Sequence, residues 1–471
     1  MKHRLLTASL LIGLVTPALA SANPEPTPYD ARSIGMGLTG TSFLDRPAAL
    51  AINPANLEGI KKLGFSFGFT ALMTNQRAPV QGPNTKVDSG LGLGPLSSGF
   101  IAGRIAPRVV WSGGIYIETG YGSSFDDVVC LDGHVVGPDA TPSTPTSDPP
   151  CENIEPQDLT VTFFVGEFAT GFSFKAHEKF WLGVALRLPF SKQVADLYQN
   201  IPQLGGYARA KQNVGGVGFP SPRFGFTILP HKKVRIGLMY RMYAKIRLTG
   251  TTEATIPGAD TTLNLDAKAD WFIPHAVAFG ISYHHNQHWL LAVDLRFQFH
   301  GAEKTGNQNQ TVVTTLDGTT GLPPAVVPLG WKNTWSVKIG WEYRFTKDVL
   351  ALRLGANIAE SATTGAFAQY FTPPPGLSGN LSGGLGFYWD DRNDPSIKDK
   401  YQLDLVGAFA FTVGTIGDEY FLQEQQIPGQ LPPGTDPTVL ACSDEQVVRT
   451  GCPGDYRVLT YWAGLQFTLQ Y

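Results

Sequence analysis

The stretch RVLTYWAGLQFTLQY, residues 457–471, decides the fold class. Leu459, Tyr461, Ala463, Leu465, Phe467, Leu469 and Tyr471 share one parity, while Thr460, Gly464, Gln466, Thr468 and Gln470 share the other. A two-residue period of this kind describes a strand with one apolar wall and one wet wall. An aromatic at its very end suits the closing strand of an outer-membrane β-barrel.

The other end of the chain fits an exported protein. Lys2, His3 and Arg4 precede an apolar core, Leu5 to Val15, and a small-x-small site at Ala18-Leu19-Ala20. This pattern predicts a cleaved signal peptide over residues 1–20, since about eleven apolar residues fall short of the roughly twenty a spanning helix needs. No later uncharged apolar run reaches that length, so any membrane crossing uses a closed barrel, the other structure that satisfies every backbone group in lipid. A net charge of -3 offers no basic stripe, which excludes nucleic acid as a partner. The four cysteines fall as two local pairs, Cys130 with Cys151 and Cys442 with Cys452. In an exported chain they read as loop disulfides, because neither pair has CxxC spacing or an adjacent His for a metal.

Alternation from Lys61 onward predicts about fourteen strands, near residues 62–74, 96–106, 109–120, 158–175, 179–197, 221–230, 233–253, 272–284, 287–301, 331–345, 348–360, 381–391, 400–413 and 456–471. Short connections (Pro107-Arg108, Ala176 to Glu178, His231-Lys232, His285-Asn286, Thr346-Lys347) alternate with long ones (126–156, 199–219, 302–329, 417–455). That asymmetry is the outer-membrane signature, with the short end periplasmic. The predicted fold is therefore all-β, a transmembrane antiparallel barrel of about fourteen strands over residues 62–471.

Facing follows from the pleat. In the seventh strand Ile236, Leu238, Tyr240, Met242, Ala244, Ile246 and Leu248 are expected outward, and Arg235, Arg241, Lys245 and Arg247 inward, because Arg or Lys at mid-bilayer costs about 2–4 kcal/mol. The ninth strand repeats this with Trp289 to Phe297 against Asp294 and Arg296. So does the tenth, with Trp335 to Phe345 against Lys338, Glu342 and Arg344.

Residues 21–61 do not alternate. Their apolar content (Ile34, Met36, Phe43, Leu44, Ile52, Leu57) argues for burial, hence a plug inside the lumen. Gly35, Gly37 and Gly40 fit GxGxxG, but no strand precedes them and no βαβ unit follows, so close packing rather than cofactor binding is expected there.

Several blocks now combine. They are Gly35-Met36-Gly37, the run Asp45 to Ala49, Asn53-Pro54-Ala55, Ser221-Pro222-Arg223 through Arg241, Pro274 through Leu295, and Trp331 through Arg344 with Arg353-Leu354-Gly355. Together they resemble the long-chain fatty acid transporter family of Gram-negative outer membranes (FadL/TodX-like). The resemblance implies a plugged fourteen-stranded barrel and passive uptake of hydrophobic molecules through an external groove, a lumenal pocket and a sideways exit at a kinked third strand. In this chain that strand carries Gly113 and Gly114 at its centre, as a lateral gate or as glycines that merely ease curvature.

A carrier for such cargo needs an apolar path and a charged handle. Leu159, Val161, Phe163 and Val165 on the fourth strand, opposed by Phe164 and Phe168, offer the path. Arg241, Lys245, Arg247, Arg296, Lys338, Arg344 and Arg353 are candidate handles, since Arg clamps a carboxylate bidentately. His284, His285 and His288 surround a short turn with no carboxylate or cysteine beside them, so a metal is not expected. No cofactor and no Ser-His-acid arrangement stands out, and the protein reads as a non-enzyme. The expected product is a monomer in contact with outer-membrane lipid and lipopolysaccharide, carrying long-chain fatty acids or similar compounds. Aromatic hydrocarbon uptake and a non-transporting structural or adhesive barrel are the alternatives.

Overall fold

The computed structural model describes residues 29–82, 84–128, 130–131, 134–135, 156–201, 206–255, 262–286, 288–300, 311–317, 325–328, 331–345, 349–365, 368–390, 400–417 and 452–471. The expected signal peptide and Cys151 and Cys442 lie outside these residues.

Fourteen antiparallel strands close into a barrel. They are β1 Leu63–Ala78, β2 Gly92–Ala106, β3 Val109–Val128, β4 Gln157–His177, β5 Phe180–Ile201, β6 Ser221–His231, β7 Val234–Arg241, β8 His275–His284, β9 Trp289–Phe299, β10 Thr334–Arg344, β11 Leu350–Glu360, β12 Leu377–Trp389, β13 Tyr401–Ile416 and β14 Gly454–Gln470. Closure is made by β1 against β14, in register from Gly64↔Gln470 to Arg77↔Arg457. The last residue joins in, its carbonyl accepting from Lys62 N at 2.9 Å. Tyr461, Leu465 and Phe467 are exposed on the outer face while Thr460, Gln466 and Thr468 are buried inside, as the alternation predicts. Near the short turns, Trp289 packs edge-on against Trp341 and Tyr343 at 5.4 and 5.2 Å, an interfacial belt of the expected kind.

Two expectations fail together. The seventh strand does not run through residues 233–253, because it stops at Arg241 and a new strand begins at Ala244. The two residues between them, Met242 and Tyr243, break the ladder, and a one-residue change of phase moves every side chain to the other face. Ala244, Ile246 and Leu248 therefore turn inward and are buried, whereas Lys245 and Arg247 turn outward. This second strand, Ala244–Thr255, pairs with Gly206–Val217 on one side and Thr262–Ile273 on the other. Gly206–Val217 in turn pairs with the outer half of β5. The segment 199–219, expected as a loop, is thus largely a strand in an external extension of the wall. Glycines and polar side chains on both its faces hid its alternation.

Residues 29–60 pack within the barrel. A short helix, Ala31–Gly35, is capped by Asp30, whose carboxylate accepts from Ser33 N at 3.0 Å. A second helix, Ala49–Ile52, leads into a 3₁₀ turn, Pro54–Gly59, that Asn53 caps by accepting from Ala55 N. Nearly every residue from Tyr29 to Ile60 is buried. The seat is partly steric, since a Cβ on Gly37 would lie 2.5 Å from Ile339 O and 2.6 Å from Ala356 N, and its φ of +69° suits glycine. It is partly ionic, since Arg32 reaches Glu342 on β10 at 2.6 and 2.8 Å and Ala31 N donates to Gln466 on β14.

Candidate functional site

The lumen has two zones of different chemistry. Towards the long loops, the even pleat of β4 turns Leu159, Val161, Phe163 and Val165 inward, each about 1% exposed or less. They join Phe125, Trp271, Trp331 and Phe371 in one apolar cluster. Trp271 stands edge-on to Phe163 at 6.2 Å and to Trp331 at 5.4 Å. The outer face of the same strand carries Phe164 and Phe168, both packed on Phe190. Trp271 and Phe371 have no signal in the sequence that marks them, and Trp331 stands out there only as the start of a block of family resemblance. Trp271 belongs to the external extension and meets Phe163 only because that sheet curls over the lumen.

Below this layer a cavity separates the N-terminal segment from the wall. Leu38, Thr41, Ala51 and Ile52 line it on one side, and Met239, Ala278, Arg223, Asp294, Arg296 and Lys338 on the other, with Tyr29. Two of the expected handles, Arg296 and Lys338, are therefore brought to one place, and Arg223 joins them. Asp294 faces the segment, accepting from Gly40 N at 2.8 Å and Thr41 N at 3.0 Å. The lining mixes apolar side chains with three cations and the Asp294 carboxylate around a volume of only about 20 Å³, and Arg223 also reaches Glu167 at 3.5 Å and the Tyr116 hydroxyl at 3.0 Å.

The third strand is interrupted, but not at the glycines. Gly113 pairs with Ile101 and Thr170, and Gly114 with Phe100 and Ala169, in unbroken ladders. The β2–β3 ladder then ends at Ser98↔Tyr116. Beyond it Gly92 to Ser97 pair with β1, and Ile117 onward pairs with β4 across a bulge between Ile117 and Thr119. A bulge leaves one residue unmatched and bends its strand. That residue is Glu118, which points inward, is buried and forms an ion pair with Arg241. Here the two strands are held by side chains instead of a ladder, with Ile117 packed against Leu72, Leu96 and Trp462, until Thr74 Oγ1 donates to Gly122 O at 2.9 Å and Gly90 N to Ser124 O at 2.7 Å.

Comparison with known proteins agrees with this geometry. Residues 160–394 match the family described as outer membrane protein transport protein (OMPP1/FadL/TodX). The chain belongs to that family. Its fold is similar to solved structures of a Pseudomonas aeruginosa FadL homologue (TM-score 0.69, 14% identity, 95% of this chain and 98% of that one) and the Pseudomonas putida toluene transporter TodX (0.68, 17%, 94% and 98%). The Ralstonia pickettii toluene transporter TbuX is similar too (0.65, 16%, 94% and 99%). Comparison with curated protein sequences gives no match. As an OMPP1/FadL/TodX protein the chain is an outer-membrane transporter of hydrophobic compounds rather than an enzyme.

The remaining candidates of this OMPP1/FadL/TodX chain are placed differently from Arg296 and Lys338. Arg353 is fully buried between Glu342 at 2.7 Å and Asp404 at 2.6 Å, so it ties β10, β11 and β13 together. Arg344 lies over the Tyr388 ring at 4.1 Å, near the short turns. Arg241 holds Glu118. Lys245 is not in the lumen at all: with Arg247 it grips Asp270 on the outer face of the extension, at 2.5 and 3.1 Å. Burial raises the Asp270 carboxyl, but these two cations more than offset it and hold it below the ordinary range. Gly35, Gly37, Asn53, Pro54 and Ala55 all lie in residues 29–60, which pack against the inner face of the wall. Asn53 Nδ2 donates to Thr41 O at 2.6 Å and to Thr227 on β6 at 3.3 Å. Cys452 is buried and disulfide-bonded.

Proposed function

We propose that the cargo is a long-chain fatty acid or a comparably amphipathic molecule, moving down its gradient. The observation that carries this reading is the gathering of Arg296, Lys338 and Arg223 beside apolar Leu38, Ile52 and Met239 around a cavity of about 20 Å³, which a cargo has to widen to enter. A chain gains about 0.8 kcal/mol for each methylene removed from water, which the external apolar layer provides without regard to identity. Selection then falls to the head, where a carboxylate meets cations that a plain hydrocarbon cannot use. Residues 29–60 act as the plug, and the interruption at Glu118, rather than Gly113 and Gly114, is the place for sideways release. Purified protein should bind oleate, and Arg296→Gln with Lys338→Gln should weaken oleate about tenfold or more while leaving toluene unchanged; equal loss of both ligands would refute the carboxylate handle. Cross-linking Leu96 to Ile117 across the break in pairing should stop uptake, and unchanged uptake would remove the exit from this position.

Aromatic hydrocarbon uptake is the second reading, favoured by the ring cluster of Phe163, Trp271 and Trp331. Toluene or xylene uptake that exceeds oleate uptake and survives the double substitution would select it.

A further inference from the structure

The periplasmic rim carries a charge pattern that transport does not use. Four consecutive short turns, joining β2 to β3, β4 to β5, β6 to β7 and β8 to β9, contain Arg108, His177-Glu178-Lys179, His231-Lys232-Lys233 and His285 with His288. They form one continuous arc, because each hands a backbone carbonyl to the next hairpin. Arg108 O accepts from Lys175 N at 2.9 Å, Lys179 O from Leu229 N at 2.9 Å, and Lys233 O from His284 N at 2.7 Å. The one acid on these turns, Glu178, is taken by Lys175 at 2.6 Å. Arg108, Lys179, Lys232 and Lys233 are exposed and have no carboxylate within ion-pair distance among the described residues. The chain as a whole is slightly acidic, at -3, so this clustering is local.

We infer that the arc is a binding surface for the phosphate groups of anionic phospholipids in the periplasmic leaflet. The position selects a lipid over a soluble molecule. Phe174 and Ile228, each about 40% exposed, face the bilayer five residues before Lys179 and four before Lys232, and Tyr283, equally exposed, pairs with Val234 beside Lys233. At about 3.3 Å per residue, a lipid whose chains lie on those side chains has its phosphate at the turns. Lys and Arg stems can lie along the apolar wall with their charged heads at that level. His177 and His231 fix the turns, each accepting on Nδ1 from the backbone N–H two residues on, at 3.2 Å. The cations are thereby presented on rigid two- to three-residue connections.

The test uses the full-length protein in bilayers of dibrominated phosphatidylcholine mixed with dibrominated phosphatidylglycerol, reading tryptophan quenching as a relative association constant. Wild type should prefer phosphatidylglycerol by about fivefold or more, the ratio that about 1 kcal/mol per surface cation gives. The preference should shrink with added salt. The variant carrying Arg108→Gln, Lys179→Gln, Lys232→Gln and Lys233→Gln should bring the ratio close to one, and its heat-modifiable gel migration reports that the barrel still forms. The variant with Lys179→Arg, Lys232→Arg and Lys233→Arg should keep the preference. A wild-type ratio near one overturns the inference and points instead to an acidic protein face as occupant; an undiminished ratio in the four-site variant overturns it equally. Neither result bears on oleate binding, which tests the cargo separately.

Discussion

The two halves of the segment inside the barrel both have steric seats but differ in how much buried charge holds them. Residues 30–46 add to the Gly37 seat a set of buried charged contacts with β10–β14: Arg32 with Glu342, Arg46 with Asp404 and Asp30, and Gln466 with Asp30 at 2.9 Å. Burial opposes the charge on Arg46, but the two carboxylates more than offset this and raise its guanidinium above its ordinary value. Residues 48–60 sit against β4–β6 mainly through shape, with one ion pair to the wall, Glu58 with Arg104 on β2 at 3.1 Å. The inner face there offers Gly183 and Gly225, where a Cβ would run into the backbone of Pro54 and Ala55 or the side chain of Asn53. Charge holds a partner in one orientation but can be weakened by solvent or acid; a steric seat is indifferent to both. A plug that must move for cargo to pass would hinge on its steric half and release its ionic half.

The comparison breaks most visibly at Glu342. Its carboxylate serves Arg32 and Arg353 at once, and Glu342→Ala leaves two buried guanidinium groups short of a partner. Removing one member of a buried pair costs about 3–5 kcal/mol. Hydrogen exchange should then rise over residues 30–46 and stay low over 48–60; a uniform rise would mean the halves are one unit. Gly183→Val attacks the other side. The added carbons meet backbone atoms, which cannot swing away, and overpacking of this kind costs about 1–3 kcal/mol. Exchange should rise over 48–60 alone, and swelling of proteoliposomes in small sugars should quicken. Asn53→Ala is milder, about 0.5–2 kcal/mol for a lost cap, and should loosen the turn at 54–59 and, through the lost bond to Thr41 O, the backbone around Thr41, read from the same exchange profile.

Much of the barrel was legible because a lipid-facing wall forces strict alternation. On β9 every second residue from Trp289 to Phe297 is exposed and apolar, and Asp294 and Arg296 fall inside. Where lipid no longer constrains a strand, legibility ended. Lys245 lies beyond the break at Met242 and Tyr243, outside the band that would have punished an outward charge, so the argument that placed it inward did not apply. The bulge at Glu118 left no mark, since an extra residue in a strand looks like any other until its partner is known. The cavity was half legible: Arg296 and Lys338 follow from facing, but Arg223 meets them only because Leu38 and Ile52 lie opposite. Gly113 and Gly114 attracted notice for being glycines, whereas the ladder around them is intact.

Acid should separate the two halves of the segment more gently than any substitution. Asp45 lies at the end of the ionic half, 3.4 Å from Arg32 and 3.8 Å from Arg235. Burial pushes its carboxyl up, but Arg32, Arg235 and Arg46 together pull it further down, so it titrates below the ordinary range. A depressed carboxylate contributes stability that is fully present above the unfolded value of about 4, and that contribution fades as pH falls through the lower folded value. Lowering the pH from 7 to 5 should leave exchange over residues 30–46 unchanged, and lowering it further, below about 4, should raise it. With 39% of the Asp45 side chain exposed, solvent screens the pair and the effect stays small. Asp45→Asn should abolish the part of the acid response that Asp45 supplies while sparing residues 48–60. If Asp45→Asn and wild type lose protection in parallel, Asp45 supplies none of the acid response and its pairing with Arg32 and Arg235 does not hold this half.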